Sequence, residues 1–132
     1  YGKSLEYLDH NKRLLKPCIK KPNCVSSQSK NPSHQIQPIY FNGKVKDAKE
    51  KLKKILNSTS NAKFITLTKK YWHIEFTSHW WGFVDDVEIL FYQSESHIDI
   101  RSASRVGYWD FGVNRKRVEK IRFQFENFRS GN

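Results

Sequence analysis

The sequence has no methionine, only two cysteines and no apolar run near the roughly 18 residues that a membrane-spanning helix requires. The missing run excludes a transmembrane helix. Two cysteines alone do not make a structural zinc site, which needs a fuller set of Cys and His ligands. Because the chain begins at Tyr1 and contains no methionine, we expect that an initiator segment has been removed, by cleavage of a signal or transit peptide or by trimming of the expressed chain.

Acidic residues are also scarce. The 132 residues include 13 Asp and Glu against 24 Lys and Arg, which gives a formal net charge of +11. This excess favours an acidic partner, which could be nucleic acid, an anionic membrane surface or an acidic protein. The basic residues lie in three groups, near the N-terminus, in residues 44–54 and in residues 115–122. Solvated helix faces are the simpler explanation of these groups, because charge runs usually belong to such faces.

The residues that are present indicate one α+β domain. Residues 1–35 hold both cysteines and three of the four prolines, which predicts an irregular N-terminal arm. Residues 36–132 alternate between helical and strand periodicity and form the α+β domain. We expect a twisted antiparallel sheet of four to five strands with two helices packed on one face.

Hydrophobic periodicity places the individual elements. An apolar stripe predicts a helix over residues 45–57, and a second helix is predicted over residues 115–128 with Asn114 as its N-cap. Strands are predicted at residues 63–68 and 70–78 and on either side of the polar loop 93–96. Residues 36–41 are a candidate edge strand, because Pro38 interrupts them.

The two strands beside loop 93–96 carry charges where a strand would ordinarily have apolar residues. If Tyr92 pairs with His97 across this loop, Glu88 falls opposite Arg101. If the preceding strand returns through a tight turn at residues 79–80, His73 falls opposite Asp86 and Tyr71 opposite Glu88. One face of the sheet then gathers six polar side chains: Tyr71, His73, Asp86, Glu88, Arg101 and Arg105.

Three interpretations of this face compete. The favoured one is an ion-pair ladder across a solvated or helix-covered sheet face. In the second, Arg101 and Arg105 form a fork-shaped site for a carboxylate, phosphate or sulfated group, held rigid by the carboxylates. The third is acid–base chemistry by His73 with Asp86, although His73 could equally be a hydrogen-bonded histidine without a catalytic role.

Cys18 and Cys24 are expected to form a disulfide in an exported protein and to stay reduced in a cytosolic one. Cys24 as a nucleophile has little support, because nothing in the sequence places a histidine beside it.

Three aromatic residues, Trp80, Tyr108 and Trp109, are candidates for a surface contact with a partner or a membrane. The alternative is that these rings fill the core and the loops.

Four motifs together resemble the domain of unknown function family 1499. They are Pro-Asn-Cys-Val-Ser-Ser-Gln at 22–28, Trp-Trp-Gly-Phe-Val-Asp-Asp-Val-Glu at 80–88, Arg-Ser-Ala-Ser-Arg-Val-Gly at 101–107, and Gly-Val-Asn-Arg-Lys-Arg-Val-Glu at 112–119. The resemblance covers roughly residues 14–125. It implies a protein of bacteria or plastids, often behind an export or transit signal, with no established activity and no theme of nucleic-acid binding. The usual Cys-Pro near position 18 is replaced here by Cys18 and Ile19.

We therefore expect an exported protein of the thylakoid or plastid lumen or the periplasm, without a cofactor or bound metal. It would be an accessory protein that docks on an acidic partner, such as a photosynthetic or other membrane complex, rather than an enzyme. Nucleic acid is not expected as a partner. The alternative is a small hydrolase, ligand-processing enzyme or anion-binding protein that uses the face of His73, Asp86, Arg101 and Arg105.

Overall fold

A computed structural model of the chain describes residues 14–78 and 81–129. The elements are β1 (Cys24–Ser26), β2 (Ile39–Tyr40), α1 (Val45–Asn57), β3 (Ala62–Leu67), β4 (Tyr71–Thr77), β5 (Val84–Phe91), β6 (His97–Ser104) and α2 (Val113–Glu126). None of the helices in these two ranges is both long enough and apolar enough to cross a membrane.

The six strands form one open antiparallel sheet in the order β1-β6-β5-β4-β3, and β2 also pairs with β6. The predicted α+β fold is confirmed, with one difference in the strand count. The additional strand is β1, which lies in a stretch that its composition predicts to be irregular. Only three residues pair there, Cys24 to Ser26 with Ala103 to Arg101, so no periodic pattern could reveal it. The candidate edge strand is confirmed as the shorter β2.

Both helices pack on one face of the sheet. Helix α1 has the predicted bounds, and its stripe of Ala48, Leu52, Ile55 and Leu56 is buried. The core between the helices and the sheet also contains buried residues of α2 and of three central strands: Val118, Ile121, Phe125, Trp72, Ile74, Phe76, Val87, Ile89, Phe91, Ile98 and Ile100. Since successive strand residues point to opposite faces, the alternate residues of the same strands form the second face.

The start of α2 corrects the predicted cap. Asn114 lies inside the helix and is fully buried, so it is not the N-cap. The carboxylate of Asp110 instead accepts the N–H of Gly112 at 2.9 Å and that of Asn114 at 3.1 Å. Gly112 precedes the helix with φ of 77°, a left-handed conformation that glycine adopts without steric cost. Asp110 therefore supplies the acceptor for the first helical turn.

The predicted pairing is right for β5 with β6 and wrong for β4 with β5. Glu88 does lie opposite Arg101. His73, however, lies opposite Glu88 rather than Asp86. The predicted turn at residues 79–80 lies outside the described residues. Strand β4 ends at Thr77, and the N–H of Ser78 donates to the carbonyl of Phe83 at 2.9 Å, so the pairing with β5 is offset from the prediction. The shift is two residues, so every side chain stays on the predicted face.

The expected disulfide between Cys18 and Cys24 is present. It closes a loop with a sequence separation of six residues directly before β1. The loop is thereby fixed to the outer edge of the sheet.

Candidate functional site

Asp86 is the centre of the polar cluster on the second face of the sheet. Its Oδ1 lies 2.7 Å from His73 Nε2, and both residues are at least 96% buried, with 4% and 0% exposure. Arg105, just beyond β6, donates from Nε to Asp86 Oδ2 at 3.1 Å and from its terminal nitrogen to Oδ1 at 2.7 Å. The same nitrogen of Arg105 reaches Glu75 at 2.9 Å. These four residues form one connected network.

Within this network, Asp86 and Arg105 stabilise each other in their charged forms. Burial raises the pKa of the Asp86 carboxyl, but hydrogen bonds from His73 and Arg105 more than offset that effect, so its pKa lies below the ordinary value. The hydrogen bonds to Asp86 and then to Glu75 raise the pKa of the Arg105 guanidinium. Asp86 and Arg105 therefore remain an ion pair throughout the physiological range.

Glu88 and Arg101 form the second part of the cluster. Arg101 donates to Glu88 Oε1 at 3.1 Å, and the two side chains are only 9% and 1% exposed. The hydroxyl of Tyr71 donates to the other carboxylate oxygen of Glu88 at 2.5 Å. Arg101 Nε has no hydrogen-bond partner in the part of the chain that the structure describes. Glu88 is thus held by two donors, whereas Arg101 depends on one carboxylate.

All six predicted residues lie on the same side of the sheet, and all of them except Arg105 are buried. Both arginines are paired with carboxylates, which is the arrangement of an ion-pair ladder. The fork-shaped anion site and the acid–base site remain predictions. A ligand for either would have to displace an existing ion pair and reach side chains that, apart from Arg105, are nearly without exposure.

Metal binding at this cluster meets the same obstacle. His73, Glu75 and Asp86 could offer ligand atoms within 4.8 Å of one another. The guanidinium of Arg105 already contacts both of these carboxylates, at 2.9 and 2.7 Å. A cation would have to take the place of this positive charge.

The sequence did not reveal a third polar group on the same face, around Asp99. Ser27 donates to Asp99 Oδ1 at 2.7 Å, Gln28 donates to Oδ2 at 3.3 Å, and the hydroxyl of Tyr92 makes a short hydrogen bond to the same oxygen. An aspartate in the middle of an apolar strand was the available signal. Its partners in residues 27–28 could not be found, because β1 was not predicted.

A second group that sequence reasoning missed surrounds Asn114, on the helix side of the sheet. Asn114 accepts from Ser102 at 2.7 Å and donates to the carbonyl of Asn23 at 3.1 Å. Nearby, Arg117 pairs with Asp85 at 2.8 Å. Every member belongs to one of the four family motifs, so the motifs meet at this end of the sheet and join α2 to β1, β5 and β6.

A lysine-rimmed groove lies apart from these clusters, between α1 and the β3–β4 turn. It encloses about 570 Å³ and is lined by apolar residues and by four lysines: Val45, Leu67, Trp72, Lys46, Lys49, Lys53 and Lys69, together with Glu50, Thr68 and Gln93. Lys49 donates to the carbonyl of Lys69 at 2.7 Å and lies 5.3 Å from the centre of the Phe91 ring. Burial, and then the charge of Lys69, lowers the pKa of Lys49.

The predicted aromatic contact surface is partly described. Tyr108 and Trp109 are 62% and 60% exposed, so they are surface residues rather than core residues. Trp80 lies outside the described residues. Three residues that were not predicted share this exposure, namely Trp81 at 76%, Phe83 at 55% and Phe111 at 80%. Their role as a contact surface remains a prediction.

Comparison with known sequences finds a match to a protein family. The pattern of the family described as "Protein of unknown function (DUF1499)" matches residues 14–125. No curated protein matches the chain.

Proposed function

Because the chain belongs to the DUF1499 family, whose description names no activity, we propose from its own surface that it is an exported or organelle-lumen accessory protein that docks on an acidic partner. The surface of a membrane protein complex is the kind of partner that we favour. The observation that carries the proposal is the lysine-rimmed groove beside α1.

The composition of the groove defines the chemistry of its occupant. Four lysines against the single acid Glu50 give the rim a strong positive charge. Val45, Leu67 and Trp72 make the floor apolar, and a volume of about 570 Å³ is within the ordinary size of a binding site. An acidic segment that carries one apolar side chain fits both features, because its carboxylates can pair with the rim while the apolar group covers the floor.

Lys49 supports an anionic occupant in particular. The charged form of Lys49 is disfavoured, because burial and then the charge of the neighbouring Lys69 lower its pKa. A carboxylate placed between Lys49 and Lys69 would relieve that repulsion. The rest of the net charge of +11 would steer an acidic partner towards the protein over a longer range.

The burial of the polar cluster disfavours the catalytic alternative. His73 and Asp86 are close enough for acid–base chemistry, which is the basis of the alternative hydrolase or ligand-processing function. A substrate must be able to contact the catalytic groups, yet these two residues are almost fully buried and Asp86 is ion-paired with Arg105. The alternative therefore has less support than docking through the groove.

A labelled acidic peptide with one central phenylalanine tests the proposal. We expect binding that weakens steeply between about 50 mM and about 300 mM salt, because exposed charges separated by more than about 8 Å are screened at physiological ionic strength. Fluorescence anisotropy measures the dissociation constant. Binding that does not change with salt would contradict docking by charge.

Charge reversal locates the site. The double variant Lys46→Glu with Lys53→Glu reverses two exposed charges at the groove. The control variant Lys116→Glu with Lys120→Glu reverses two exposed charges on α2 and has the same net charge. We expect the groove variant to lose at least about tenfold in affinity, equivalent to about 1.4 kcal/mol, and the control to lose much less. Equal losses would show that net charge acts without the groove.

A further inference from the structure

Six large apolar side chains are exposed at the end of the sheet where β5 begins and β6 ends. They are Trp81, Phe83, Val106, Tyr108, Trp109 and Phe111, with exposures from 55% to 80%. They come from two connections, the described residues 81–83 before β5 and residues 105–112 after β6. These connections adjoin each other, because the N–H of Arg105 donates to the carbonyl of Val84 at 3.1 Å. We call these six residues the aromatic end.

In the second connection, the backbone of residues 110–112 is constrained and presents the Phe111 ring to solvent. Phe111 has a φ of 54°, which a bulky residue rarely adopts. It is fixed there between Asp110, which caps α2, and Gly112, which also has positive φ. Trp109 packs edge-to-face against Phe111, with ring centres 6.2 Å apart. A strained backbone that keeps an 80% exposed ring in solvent is the kind of feature that accompanies binding.

Positive charge borders the aromatic end. Asn23 donates to the carbonyl of Gly107 at 2.6 Å, so the segment that carries Lys20 and Lys21 meets the second connection at Asn23. Lys116 follows on the first turn of α2. All three lysines are exposed, and no ion pair neutralises them within the described ranges. The carboxylates nearby are already engaged, since Asp85 pairs with Arg117 and Asp110 caps α2.

We propose that the aromatic end seats the protein on an anionic lipid surface, with its rings at the headgroup level. Tryptophan and tyrosine prefer the membrane–water interface, where an apolar ring body and a polar tip are both accommodated. The rings project from two loops, so a fluid surface can take them up without a complementary groove. The neighbouring lysines match anionic headgroups, and each contributes about 1 kcal/mol near such a surface, equivalent to roughly fivefold in affinity. This surface is separate from the lysine-rimmed groove.

Vesicle flotation tests the proposal with the intact protein and no protein partner. We expect binding to vesicles of phosphatidylcholine and phosphatidylglycerol in equal parts, and much weaker binding to phosphatidylcholine alone. The variant Trp109→Ser with Phe111→Ser should lose at least about tenfold in binding, because two interfacial rings are removed. The control Phe123→Ser removes a ring that is 66% exposed near the other end of α2 and should bind as the parent does.

The lysines and the tryptophans provide independent measurements. Lys20→Gln with Lys21→Gln should weaken binding to the anionic vesicles, whereas Lys53→Gln with Lys54→Gln on α1 should not. Lipids brominated near the headgroup should quench tryptophan emission in the parent and less in Trp81→Ser, a second variant that alters only an exposed residue.

Three results would overturn the proposal: absence of binding to anionic vesicles, equal losses in the aromatic and control variants, and self-association that the aromatic variant abolishes. The last would show that a second copy of the chain covers this end. The variant Trp109→Ser with Phe111→Ser should keep its affinity for the acidic peptide. The peptide and vesicle measurements therefore distinguish a failure of the lipid-binding proposal from a failure of docking through the groove.

Discussion

Replacing Glu88 or Arg101 by leucine, separately and together, measures the ion-pair ladder directly. Both side chains are at least nine-tenths buried, and the pair is joined by one hydrogen bond of 3.1 Å. Removing one partner of a buried pair typically costs about 3–5 kcal/mol, because the other charge is left without compensation. Removing both avoids that cost, so the double variant should be more stable than the sum of the single effects predicts.

The contacts also predict which single variant loses more stability. Glu88 keeps the hydroxyl of Tyr71 as a donor when Arg101 is replaced. Arg101 keeps no other ion-pair partner among the described residues when Glu88 is replaced, and its Nε already lacks an acceptor there. We therefore expect the free energy of unfolding to fall by about 3 kcal/mol in Arg101→Leu and by about 5 kcal/mol in Glu88→Leu. These values are the two ends of the range for a broken buried pair.

Urea unfolding followed by circular dichroism gives the three free-energy changes. We expect a coupling energy of at least about 3 kcal/mol, the upper end of the range for residues in contact, because the double variant leaves no unpaired charge. If Glu88→Leu is too unstable to study, Glu88→Gln preserves the volume and an acceptor for Tyr71. A control cycle at Glu119 and Arg122, where Glu119 is 53% exposed, should give only about 0.3–0.5 kcal/mol. A coupling below about 0.5 kcal/mol at Glu88 and Arg101 would refute the ladder.

Two further predictions concern Asp110 and Asp86. Asp110→Ala should lower the free energy of unfolding by about 0.5–2 kcal/mol, because α2 loses its cap, and Asp110→Asn should lose less because an acceptor oxygen remains. Denaturant midpoints at equal slope measure this, and an unchanged midpoint would contradict the cap. The lowered pKa of Asp86 means that its stabilising effect is present above the unfolded value of about 3.9 and is lost as pH falls through the lower folded value. Asp86→Asn should therefore be less stable than the parent at neutral pH. Below about pH 4 it should lose less stability on acidification than the exposed control Asp47→Asn, which keeps the Asp86 carboxylate. Equal losses of stability in acid would contradict the ion pair.

The sequence was sufficient for the elements with strong periodicity and for the composition of the buried cluster. Helix α1 repeats apolar residues over three full turns, so its bounds follow from the pattern. The pairing of Glu88 with Arg101 follows from one short loop, because a hairpin of known loop length has a fixed register. The same logic was wrong for β4 because the connection from Ser78 to Phe83 is longer than a tight turn. The membership of the cluster was still predicted correctly, because a register shift of two residues leaves every side chain on the same face of the sheet.

Features that depend on long-range contact could not be predicted. Strand β1 has three residues and is defined by pairing with β6, far along the chain. Asn114 looks like a cap in sequence, since it precedes a helical pattern and has the right side chain. Asp110 takes that position because Phe111 and Gly112, which separate it from the helix, both have left-handed backbone conformations. The lysine-rimmed groove needs α1 to lie beside the β3–β4 turn, and no local pattern specifies that distance.

The outer edge of β6 has a consequence for folding and aggregation. Strands β3 to β6 follow one another with short connections, so they can assemble from local contacts early in folding. Among the described residues, β1 and β2 are the strands that pair with the outer edge of β6, and β1 lies about 70 residues before β6 in the sequence. Until β1 pairs there, an eight-residue strand presents unpaired backbone groups that another chain could extend. The disulfide between Cys18 and Cys24 joins the first residue of β1 to the segment before it. Formation of this disulfide would order that segment during folding. It would thereby shorten the time for which the edge of β6 is open to pairing with another chain.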